Sequence, residues 1–148
     1  MSRKFVVLLS MLIGMTPFAI RADGPGVSAT HVWMRVTKPD ANAMTGYMIL
    51  KNLSNQTLTL ATISSPDFDS IVIRRGTSDD DKADLQPLSK LSIPAHKSLS
   101  FAPNSYYLVL IKPVKKLYDG DLVTLTLTFS DHSSLTIMAP VRRDRIEN

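Results

Sequence analysis

An all-β fold, an antiparallel sandwich, is what this sequence predicts. Three observations point to it. Apolar and polar residues alternate in short runs. Pro, Gly, Asn and Asp fill the breaks between those runs. No stretch beyond the amino terminus keeps the 3.6-residue apolar period of a helix.

The strands follow in order. Thr30–Val36 alternates, with His31, Trp33 and Arg35 on one side and Val32, Met34 and Val36 on the other. Residues 38–43 form a turn, and Gly46–Lys51 is the next strand, closed by residues 52–55. Thr57–Ile63 alternates Thr with apolar residues, the mark of a half-buried strand. Ser70–Ile73 is short and runs into Arg74-Arg75-Gly76. Thr77–Asp84 is a polar, acidic loop. Leu91–Ile93 and Ser98–Phe101 flank a turn at 94–97. Tyr106–Ile111 is a continuous apolar run, suited to a strand buried on both faces. Residues 117–121 turn the chain, and Leu122–Phe129 and Ser134–Met138 form a hairpin around 130–133.

A chain of 148 residues fits one domain. Arg3 and Lys4, an apolar stretch over 5–15, Pro17 and the small residue Ala22 read as a secretory leader over 1–22. The sandwich domain then covers 23–141, and 142–148 is a charged tail. Arg3, Lys4 and Arg21 leave with the leader, so 17 basic residues fall to 14 against 13 acidic ones. Near-neutrality gives no basic face for nucleic acid. No long apolar segment follows the leader, so no membrane insertion is expected after cleavage. The chain has no cysteine, which removes thiolate metal sites and a cysteine nucleophile.

The series Trp33-Met-Arg35, Thr45-Gly-Tyr-Met-Ile-Leu-Lys-Asn52, Ile93-Pro-Ala95, Pro103-Asn-Ser-Tyr-Tyr-Leu-Val-Leu110 and Gly120–Phe129 resembles the periplasmic copper-chaperone family PCuAC over nearly the whole mature chain. The resemblance implies a Greek-key, cupredoxin-like version of the sandwich, which pattern alone does not separate from an immunoglobulin-like one. It also implies export to the periplasm and Cu(I) handling, with delivery for cytochrome oxidase assembly. A partner would be a copper-centre assembly protein or another periplasmic protein. The family binds Cu(I) through His, ten residues, Met, twenty-one residues, His, one residue, Met. Laid on this sequence, that spacing falls on Arg74, Leu85, Tyr107 and Val109.

None of these four suits a soft cation, which prefers thioether and imidazole. Arginine is a fixed cation, and a phenol is protonated at neutral pH. Leucine and valine have no lone pair. The family's metal site is therefore expected to be degenerate, with no resident cofactor. Cu(I) enters only if the activity survives through other ligands, for which His31 with Met44 is the one surrogate pair.

Other features read plainly. His96 and His132 are turn residues, and Met48 is core. Asp79–Asp81 with Asp84 lacks the alternation of a calcium loop. Asn52-Leu-Ser54 and Asn55-Gln-Thr57 match a glycosylation pattern by chance. Trp33 and Arg35 read as a stacked structural pair. Asp131-His132-Ser133 holds triad residue types without triad geometry, so no enzyme is expected. Two functional readings remain. One is a copper-chaperone family protein with a degenerate site. The other is a metal-free protein-binding module that reuses the sandwich surface around Arg74, Arg75 and Tyr107.

Overall fold

The computed structural model describes residues 26–76 and 90–143. The leader, the acidic loop with Leu85, and the tail beyond 143 lie outside the described residues. Among those described there are nine strands and no helix: β1 Val27–Val36, β2 Ala43–Asn52, β3 Leu58–Ser64, β4 Phe68–Arg75, β5 Leu91–Ile93, β6 Ser98–Phe101, β7 Tyr106–Pro113, β8 Leu122–Phe129 and β9 Ser134–Arg143.

They form one curled sheet in the order β4-β7-β6-β2-β1-β9-β8-β3-β5. Its two halves fold face to face. The first half is β4, β7, β6, β2 and β1; the second is β9, β8, β3 and β5. β9 joins them, pairing with β8 antiparallel over residues 134–140 and with β1 parallel over 141–143. β6 and β7 lie end to end along β2, opposite residues 48–51 and 43–46 respectively. The all-β, cupredoxin-like sandwich is thus present, with parallel contacts at β1–β9 and at the single Phe101–Tyr106 pair.

The core is built by the predicted alternation. Met34, Met48, Leu50, Leu108 and Leu110 face inward from the first half; Leu60, Ile93, Leu125, Leu127 and Phe129 face them from the second. Each such side chain contributes about 1.5–3 kcal/mol by leaving water. Gly46 is required by this packing. A Cβ there would lie 2.8 Å from the Met34 sulfur and 3.2 Å from Leu110 Cδ1.

Three differences from the sequence expectation have physical causes. β1 starts at Val27, and its early residues Val27 and Ala29 face the core with the opposite parity to Met34 and Val36. The switch is a β-bulge: between the pairs Thr30–Ile49 and Trp33–Tyr47, His31 and Val32 together oppose the single residue Met48. β7 is covered on one face only; Leu108 and Leu110 are fully buried, whereas Tyr107, Val109 and Ile111 are half-buried. Finally, Arg142 and Arg143, expected in the tail, are strand residues paired with Arg35 and Val36.

Candidate functional site

Alternation along β7 puts Tyr107 and Val109 on the outer face of the first half-sheet, since Leu108 and Leu110 point inward. β4 runs beside it with Arg74 opposite Tyr107 and Val72 opposite Val109. Directly opposed residues share a face with Cβ atoms about 4.5–5.5 Å apart. Three of the four positions singled out in the sequence are therefore neighbours on one surface. The fourth, Leu85, lies outside the described residues.

The same face continues across the sheet. Thr45 opposes Val109, and one further step of that register brings Tyr47 opposite Tyr107. Tyr47 in turn opposes Trp33, and their ring centroids lie 4.8 Å apart with planes tilted by 41°. A row of Arg74, Tyr107, Tyr47 and Trp33 results, crossing four strands. A second row beside it holds Val72, Val109, Thr45, Arg35 and Arg142. Trp33 thus takes Tyr47 as its aromatic neighbour, and Arg35 follows it two residues along the same face.

Tyr47 and Arg142 are the members that sequence reasoning missed. Tyr47 was legible in part: it alternates with core Met48, so it points to the other face, where it is buried to 6% exposure. Arg142 was hidden by its place in an apparently frayed charged end. On the opposite, core-facing side of the same strand pair Arg75 sits over the Tyr106 ring, 5.9 Å from its centroid. Gly76 donates its N–H to Ser105 O at 2.6 Å. A Cβ at Gly76 would fall 2.5 Å from the Pro103 carbonyl oxygen, so only glycine permits the approach.

The donor chemistry of this face is poor for Cu(I). Arg74 presents a cation, Tyr107 a phenol and Val109 an alkyl group. The surrogate pair does not converge either. Met44 is buried at 4% exposure, whereas His31 is exposed on the bulge opposite Met48, four residues or about 13 Å along the strand. His31, His96 and His132 have φ values of 52°, 60° and 67°. All three histidines of the chain thus occupy left-handed backbone positions, which favour short polar or ring side chains over branched ones. His96 also shares a 2.8 Å hydrogen bond with Asn55 Oδ1. Asp131, His132 and Ser133 form a local turn in which the Asp131 carboxylate accepts from Ser133 N–H at 3.0 Å and Ser133 Oγ–H at 2.6 Å. These bonds hold its carboxyl below the usual carboxylate range. Asn52, in the first glycosylation match, is fully buried.

Comparison with known structures agrees with the fold. The copper-bound PCuAC domain of PmoF2 is 20% identical, with a TM-score of 0.67 over 80% of this chain and 94% of that one. The apo PCuAC domain of PmoF1 is also 20% identical, with a TM-score of 0.68 over 82% and 98%. The Cu(I) form of DR1885 from Deinococcus radiodurans is 24% identical, with a TM-score of 0.62 over 86% and 83%. No curated protein matches the chain significantly. The family model described as lipoprotein LpqE-like matches residues 27–141, from the first residue of β1 into β9. The chain belongs to this LpqE-like family, which is PCuAC-like.

Proposed function

We propose that this protein is an exported, non-catalytic member of the copper-chaperone group that no longer holds Cu(I) through the group's own four positions and acts through contacts with protein partners. The observation that supports this best is the cross-strand pairing of Arg74 with Tyr107, with Val109 two residues on. A guanidinium, a phenol and an isopropyl group share the surface where the family spacing calls for imidazole and thioether. The relatives described as copper-bound and Cu(I)-loaded link the fold to copper handling. Delivery for cytochrome oxidase assembly, with a copper-centre assembly protein as partner, is the pathway we assign. The compartment is the periplasm, reached by cleavage after Ala22.

The outer face with Arg74, Tyr107 and Trp33 favours a second reading, a metal-free binding module. Aromatic residues and arginine are the types enriched at protein interfaces. The experiment that tests the shared premise is anaerobic Cu(I) titration of the protein against a competing chelator. No stoichiometric binding is expected at competitor strengths in the micromolar range. Stoichiometric binding that persists there would overturn the proposal.

A further inference from the structure

We propose a binding site for a phosphoryl-type oxyanion at the end of the sandwich where the β1–β2 turn meets the segment leaving β7. A cavity of about 170 Å³ opens there, lined in part by Pro39, Asp40, Asn42, Lys112, Lys115 and Lys116. Backbone bonds fix its walls. Lys112 N–H donates to Asn42 O at 2.8 Å, Leu117 N–H to Pro39 O at 3.3 Å, and Val114 N–H to Asp67 O at 2.9 Å. Ala41 and Leu117 are buried and anchor the two segments.

The charge around this cavity is one-sided. Lys38 reaches Asp40 at 3.9 Å. Lys112, Lys115 and Lys116 make no ion pair among the described residues. Three lysines, Lys112, Lys115 and Lys116, against the one carboxylate of Asp40 line the cavity and raise the local positive potential around a concave surface. An ammonium is a compact point charge with three rotatable donors, the form in which lysine binds phosphate. Lys112 also has φ 53°, a left-handed conformation uncommon for such a residue. Strained backbone of this kind gathers at binding sites and there implies a purpose worth testing.

Such an anion reaches the site free or as a lipid headgroup. Val114, 67% exposed, stands inside the lysine run and would meet the acyl boundary in the second case. The site is separate from the Arg74–Tyr107 surface: Lys112 lies five residues beyond Tyr107, about 17 Å along β7. The inference therefore stands independently of the copper reading.

The test is an amide chemical-shift titration of ¹⁵N-labelled protein with inorganic phosphate. A parallel arm uses phosphatidylcholine vesicles with and without phosphatidylglycerol. Saturable shifts confined to residues 38–42 and 112–117 are expected from at least one probe. The K112Q/K116Q variant should bind that probe roughly thirtyfold more weakly, and K115Q alone roughly fivefold. Response to inorganic phosphate identifies the free anion as ligand; response only to vesicles containing phosphatidylglycerol identifies the headgroup. Both lysine variants change exposed side chains, and an unchanged spectrum away from the site verifies their fold. Absence of selective shifts with both probes overturns the proposal, as does binding unaltered in the folded variants.

Discussion

The Asn52 side chain donates from Nδ2 to the carbonyl of Ile93 at 2.9 Å, and both residues are sealed from solvent. Asn52 ends β2 in one half-sheet, and Ile93 ends β5 in the other. The same amide reaches Gln56 O at 2.7 Å and Pro94 O at 3.2 Å. Its Oδ1 accepts from Ser54 N–H at 2.9 Å and Ser54 Oγ–H at 2.8 Å. One side chain therefore satisfies backbone groups from both halves, and no shorter residue can replace it.

Asn52→Ala should lower unfolding stability by about 3 kcal/mol, because the buried Ile93 carbonyl and the part-buried groups of Ser54, Gln56 and Pro94 lose their partner together. Asn52→Leu should not recover it, since bulk without polar atoms leaves the same groups unmet. Urea denaturation of both variants checks this. A loss below about 0.5 kcal/mol, the range of a neutral surface change, would refute the bridging role.

Gly46→Ala should cost about 1–3 kcal/mol, as an added methyl is forced against the buried Met34 sulfur and Leu110. Met34→Ala alone should cost about 2–5 kcal/mol through the cavity it leaves. Combined, the two should cost less than their sum, because each fills or vacates the same space. Strict additivity in denaturation midpoints would show that the two residues do not compete for it.

The combined variant R74H/L85M/Y107H/V109M places imidazole and thioether at the four spaced positions. It should gain stoichiometric Cu(I) binding against a chelator that strips the parent protein. A variant that folds and stays as inert as the parent would show that these positions are not where the family's metal sits.

Asp131 supplies a pH test. Its carboxyl is held low first by the Ser133 hydroxyl and then by the Ser133 N–H. A depressed folded value means the charged form is favoured by folding. The contribution is present above the ordinary aspartate range and is lost as pH falls through the folded value. Ser133→Ala should move the Asp131 titration upward toward ordinary behaviour when followed by carbonyl NMR, with little effect on stability because the turn is exposed. An unmoved titration would assign the shift to something other than the hydroxyl.

Much of the fold was legible because strands obey a local rule. Leu122–Phe129 alternates Leu or Val with Thr, and the inward set Val123, Leu125, Leu127 and Phe129 is buried as the pattern requires. The bulge at His31 was not legible, because it is defined by how β1 sits against β2 rather than by β1 itself. The turn roles of His96 and His132 could be read from neighbouring Pro, Asp and Ser, whereas His31 stands among strand formers. At the candidate site the spacing of Tyr107 and Val109 gave their common face. Arg74 joined them only through the register of β4 on β7. The lysine cavity needed more still, since it exists only where residues 38–42 meet residues 112–116.

The placement of β9 has a bearing on biogenesis. It comes after every other described strand, and among the described residues it is the strand that pairs with both half-sheets. A nascent chain emerging amino terminus first cannot close its sandwich until β9 has been made. Non-local pairing of that kind is intrinsically slow. The two half-sheets therefore stay separable until their connecting strand arrives.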